Sequence, residues 1–187
     1  MTTPPPPTRP EPWLRGPVPG IDARLQPVAH ALLQAREDVR AAIAPLDADA
    51  LRGRPAGVAA VAWHVRHAGA ALDRLFTYAR GSGLDDAQRA ELALERDPSG
   101  REGDAATLAD GFDARIEAAL AQLRATDPST LGDPREVGRA RLPSTVLGLL
   151  FHAAEHTQRH VGQIVTTARI AAAGIAATGS AAAERDR

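Results

Sequence analysis

Four segments of this chain carry apolar residues at intervals of three and four, the repeat of a helix that buries one face. In the first, Ile21, Leu25, Val28, Ala29, Leu32, Leu33, Val39 and Ile43 follow Gly20, with Pro27 in the opening turns and Pro45 at the end. The second runs from about Val58 to Arg80, with Val61, Val65, Ala68, Leu72 and Leu75 as its stripe, and Gly81-Ser82-Gly83 stops it. The third spans Asp104, a plausible N-cap, to Ala125 and aligns Leu108, Phe112, Ile116, Leu120 and Leu123. The fourth starts near Ser144, a further N-cap candidate, and continues to about Ala173. No stretch alternates convincingly as a strand, and there is no internal repeat. Four amphipathic helices of about twenty residues or more can cover their stripes only against one another. The predicted fold class is therefore all-α, a four-helix bundle.

The core of such a bundle must be unusual. Apolar residues make up 44% of the 187 positions but aromatics only 3%. Leu, Val, Ile and much Ala have to fill it, and Ala suits closely packed helices because of its small side chain and high helix propensity. This length supports one domain. Residues 1–20 hold eight of the fifteen prolines and read as an extended arm, either a loose tail or one laid across the surface by Trp13 and Leu14. Residues 21–175 form the bundle and 176–187 a frayed C-terminal tail. Between the second and third helices, "LDDAQRAELALERD" predicts a short connecting helix with a weak apolar face. Residues 126–143, with two Asp-Pro pairs, predict an irregular connection.

Several functions are excluded early. The formal charge is −1, from 22 basic and 23 acidic residues in mixed order, so no dense basic face is available for nucleic acid. With no cysteine, the chain can form no disulfide, no thiolate metal site and no cysteine nucleophile. The N-terminus lacks a signal or transit pattern, and no stretch reaches the roughly 18–20 apolar residues that span a bilayer. We expect a cytoplasmic protein without nucleic-acid or membrane partners. The Gly-Ser-Gly stretch lacks the Lys and Ser/Thr of a phosphate loop.

The remaining chemistry lies in the histidines. "HAAEHTQRHVGQI" places His152, His156 and His160 four apart. Continuing the fourth stripe from Ala153 lands on 156, 160 and 164, so His156 and His160 point inward, about 5–6 Å apart at Cβ. Two imidazoles so placed can share one ion. Burying them without partners would cost about 1–3 kcal/mol each, which weighs against a purely structural role. His152 lies toward the edge of the stripe and is assigned a structural or orienting role. The pair is no zincin motif, because Thr157 stands where the general-base Glu would be required. A metal site needs a further ligand, and the second helix offers His64 and His67. Helical rotation alone favours His64. His30 reads as an ordinary partly buried histidine.

"AWHVRHAGAALDRLFTYARG", followed later by "LLFHAAEHTQRHVGQI", resembles the DinB/YfiT superfamily of metal-binding bundles over about residues 20–173. The His-x-x-x-His-x-Gly-Gln pattern from His156 to Gln163 is the most specific piece. The resemblance implies an up-down-down-up four-helix bundle with a three-His site of one ligand from helix two and two from the last helix. The late pair then falls on His156 and His160. Trp63 four positions before His67-Ala68 selects His67, against the rotational preference for His64. A divalent metal is implied, with zinc, nickel and iron all found in such sites.

Relatives of this family include S-transferases that use mycothiol or bacillithiol, a maleylpyruvate isomerase, the metal domain of sulfoxide synthases, and stress-associated proteins. The resemblance thus implies a metal-dependent thiol S-transferase, with a small-molecule thiol and an electrophile as partners and a homodimer as assembly. A non-catalytic metal-binding stress-response protein and a metal-dependent hydrolase are the alternatives. No catalytic side chain is assigned. Gln163, Arg159 and Glu155 follow the ligands closely, with surface ion pairing the expectation for the last two. Arg139 and Arg141 are expected to be solvated loop charges.

Overall fold

Local chemistry sets most of the helix boundaries. The computed structural model describes residues 9–95 and 103–185. Helix α1 (Gln26–Ile43) opens with Pro27, whose fixed φ and missing N–H suit a first turn. A short α2 (Ala48–Arg52) is capped by Asp47, which accepts from Ala50 N. Helix α3 (Val61–Ala79) ends where Gly81 takes φ +76°, a conformation that favours glycine. Helix α4 (Asp86–Leu94) begins on a capping box, in which Asp85 and Gln88 each satisfy the other's backbone N–H. Helix α5 (Ala105–Ala125) is capped by Asp104, which accepts from Thr107 N at 2.7 Å. Helix α6 (Val146–Arg185) is the longest.

The long helices α1 and α3 each pack against both α5 and α6. Their shared interior holds Leu32, Val39, Leu72, Ile116, Leu120, Leu150 and Ile164, all essentially inaccessible to solvent, beside Ala29, Ala35, Ala68 and Ala153. Each such Leu or Ile contributes about 1.5–3 kcal/mol by leaving water. The alanines between them let the helices approach closely. The helical expectation holds for these elements, and no helix among the described residues is long and apolar enough to cross a membrane.

The structure departs from the sequence-based expectation in five places. Part of the connection expected to be irregular is a hairpin, with β1 (Pro134–Val137) antiparallel to β2 (Leu142–Thr145) and Val137 paired with Leu142. Its turn holds Gly138 and Arg141 at positive φ. Ser144 therefore lies in a strand, and Thr145 caps α6 by accepting from Gly148 N at 3.0 Å. Val58 precedes α3, which starts only at Val61, because a 3-10 turn at Pro55–Gly57 occupies that approach. Helix α6 continues past residue 173, through most of the segment expected to fray.

The arm is anchored differently as well. Trp13 and Leu14 are 61% and 58% exposed, so they do not hold it. Pro12 is buried instead, the Arg15 guanidinium grips both Glu37 oxygens at 2.5 and 2.7 Å, and Gln26 binds Val18 and Ile21 main-chain groups. Residues 1–8 of the arm, Arg96 and Asp97 of the expected connecting helix, and residues 186–187 of the tail lie outside the described residues.

Candidate metal centre

Two helices bring the histidines together. Helix α3 carries Trp63, His64 and His67 on successive parts of one turn, and α6 carries His156 and His160 one turn apart. Because α3 packs along α6, His67 Nε2 comes to 3.2 Å from His156 Nε2. His160 completes the group, with its ring centroid 4.6 Å from that of His67 and 4.7 Å from that of His156. One nitrogen from each of His67, His156 and His160 lies within 4.8 Å of the other two.

His64 stands outside this triplet. It is only 7% exposed, as its rotational position predicts. Its Nδ1 is 3.0 Å from His160 Nδ1, so one of these nitrogens donates to the other. Thus rotation correctly found the deeper histidine of α3, while the converging one is His67. His152 is exposed, 3.3 Å from Glu155, with its ring 5.8 Å from that of His156. His30 binds the Gly16 carbonyl at 3.0 Å, far along the chain from the cluster.

Of the groups that frame His67, the sequence singled out Trp63 but not Glu95 or Arg74. Trp63 stacks flat on its ring, with centroids 4.7 Å apart and planes within 5°. Glu95, at the end of α4, accepts from His67 Nδ1–H at 2.8 Å. Arg74 holds the same carboxylate at 2.5 and 3.2 Å, and the Trp63 indole N–H donates to the Glu95 carbonyl at 3.2 Å. One signal was readable. Arg74 follows His67 by two helical turns on a largely apolar face, where a buried guanidinium needs an anion. The identity of that anion depended on how α4 docks, which periodicity does not reveal.

Electrostatics keep much of the cluster unprotonated. Burial, reinforced by the neighbouring imidazoles of His67, His156 and His64, pushes His160 down to about 4. Burial first and then His67 also lower His64, and the same two causes lead for His156. Burial alone would raise the Glu95 carboxyl, but its hydrogen bonds and charges from His67 and Arg74 outweigh this and hold it below the usual range. The remaining polar residues of the motif face outward. Arg159 pairs with Glu155 one turn away, as expected, and Gln163 is exposed rather than turned to the histidines. Arg141 pairs with Glu136 on the hairpin, and Arg139 is solvated.

These features agree with comparison to known proteins. No curated protein matches the chain. Among solved structures, a conserved protein from Enterococcus faecalis superposes with a TM-score of 0.63 at 18% identity, covering 80% of this chain and 97% of that one, a likeness of fold alone. The family model of the DinB superfamily matches residues 31–164, most of the length and every residue of the histidine cluster. The chain belongs to the DinB superfamily.

Proposed function

We propose that this protein binds a divalent metal ion through His67, His156 and His160, and that the four long helices form the up-down-down-up bundle that carries it. The packing of α1 and α3 on both α5 and α6 supports that arrangement. The observation that carries the metal reading is the convergence of three imidazole nitrogens within 4.8 Å. Two nitrogens each 2.0–2.1 Å from a tetrahedral ion stand about 3.3 Å apart, and the His67–His156 pair is at 3.2 Å. Three neutral imidazoles suit zinc, nickel or iron and leave coordination positions vacant.

The chemistry that fits best is thiol S-transfer. An ion in this position would supply Lewis acidity, favouring the anionic form of a thiol that reaches it. The chain has no cysteine, so the sulfur must come from a small-molecule cosubstrate. His67 and His156 are half-buried, which leaves the cluster reachable from solvent on that side. In the transfer, the S–H bond breaks and a sulfur–carbon bond forms at the electrophile, while the bond that opens there passes its electron pair to the departing or ring-opened atom, which takes up the thiol proton.

Metal content of untagged protein tests the first claim, with near one equivalent expected in the wild type and a large loss in His156→Ala. No bound metal, or unchanged binding in that variant, overturns it. Product formation from low-molecular-weight thiols and an electrophile panel then separates a transferase from a metal-binding protein without this activity. The expected homodimer belongs to the same proposal and is tested by sedimentation velocity.

A further inference from the structure

Building on the metal reading above, we infer that Glu95 is a positioning residue for the centre. It takes the Nδ1 hydrogen of His67 and thereby presents the Nε2 lone pair to the ion. The placement is specific. Glu95 Oε2 lies 2.8 Å from Nδ1, while Nε2, on the other side of the same ring, faces His156 Nε2 at 3.2 Å. A neutral imidazole carries one hydrogen, so a partner that only accepts at Nδ1 leaves Nε2 free to ligate. A carboxylate in this position is a recurrent way to orient a metal-binding histidine.

Three further contacts hold Glu95 to this task. Arg74 has donors only, and both of its contacts are made to the carboxylate. The Trp63 indole fixes the Glu95 main chain through its carbonyl and the plane of the His67 ring by stacking. The ring plane is thus set from one side and its rotation within that plane from another. Glu95 caps the C-terminal end of α4, outside the two helices that carry the histidines, so the orienting group is separable from the ligands.

The arrangement makes an unusual demand of a near-isosteric substitution. In Glu95→Gln, Arg74 can be satisfied only by the amide oxygen, and its closer contact is to Oε1 at 2.5 Å. The amide NH2 then faces His67 Nδ1 and requires a lone pair there, which moves the ring hydrogen to Nε2 and blocks ligation. Removing the guanidinium as well, in Arg74→Met/Glu95→Gln, frees the amide to turn its oxygen to Nδ1–H. A second substitution that breaks a buried contact should therefore restore binding, an outcome that a merely structural role for Glu95 does not produce.

The test uses the full chain. Zinc affinity is measured at pH 7 by competition with a chromogenic chelator, and the His67 tautomer is read from long-range 1H–15N spectra of metal-free protein. E95Q should bind zinc 10–100-fold more weakly and shift His67 from the Nδ1–H to the Nε2–H form, and the double variant should recover most of the loss. Wild-type affinity or an unchanged tautomer in E95Q overturns the inference. Should E95Q not fold, E95A carries the test, and wild-type affinity with a retained Nδ1–H form overturns it equally. If the wild type takes up no zinc, the metal reading fails, yet the metal-free spectra still decide what Glu95 does to His67.

Discussion

The two histidines of α3 have different surroundings in this structure, and replacing each by leucine separates their effects. His64 is 7% exposed, and the only described hydrogen bond of its side chain is to His160 Nδ1 at 3.0 Å. In His64→Leu, that buried Nδ1 loses its partner, a cost of about 1–3 kcal/mol. A leucine of similar size, buried among apolar neighbours, returns about 1.5–3 kcal/mol. The net change in stability should stay within about 2 kcal/mol, a shift in Tm of no more than roughly 4–8 °C for a chain of this length. His160 would lose the contact that orients it, so zinc affinity should fall about 10–100-fold, or roughly 1.4–2.8 kcal/mol. His67→Leu removes one of three donors, and its loss should exceed a hundredfold. Chelator competition measures both affinities, and thermal melts confirm that both variants are folded. If His64→Leu abolishes binding while His67→Leu retains it, the assignment of His67 to the centre is wrong.

Two further predictions concern the body of the fold and its response to acid. Leu150 is fully buried in α6 beside the histidine-bearing turns, so Leu150→Ala should cost about 2–5 kcal/mol and lower Tm by roughly 5–15 °C in calorimetry, whereas a change under 1 kcal/mol would contradict the packing described. For metal-free protein, His160 takes up its proton near pH 4 when folded, against 6.5 for an ordinary imidazole. Between these values the unfolded chain binds the proton and the folded one does not, so stability is complete above pH 6.5 and declines as the pH falls toward 4. The loss between pH 7 and pH 5 should be about 2 kcal/mol from His160 alone, with His64 and His156 displaced in the same direction. A denaturant midpoint that does not move between pH 7 and pH 5 in the presence of chelator would refute this.

Periodicity found what depends on periodicity. The stripes of α1, α3, α5 and the first part of α6 predicted the buried faces, and Asp104 capped its helix as expected. His156 and His160 were legible because they occupy a stripe that is otherwise apolar. His67 was not legible in that way. It lies off the centre of the α3 stripe, and it was the family-like placement of Trp63 that pointed to it. The structure gives that Trp a physical role, since it stacks on the ring in question. The hairpin at 134–145 escaped notice because each strand has only four residues and both contain proline, too little for an alternating pattern to stand out. Trp13 misled for a different reason, since an aromatic in a proline-rich arm invites docking, whereas the actual hold is the Arg15–Glu37 pair. Glu95 had no local signature at all, because its role arises only when a separate helix comes to rest beside α3.

The separate origin of Glu95 has a practical side. The carboxylate that addresses His67 is supplied by the residue that ends the nine-residue helix α4 rather than by the long helices that hold the imidazoles. Its reach and angle can be altered by lengthening, shortening or re-capping α4 without touching a single histidine-bearing turn. A protein engineer would have in α4 an independent dial for the donor strength of one imidazole, and a small library confined to residues 85–95 would scan it.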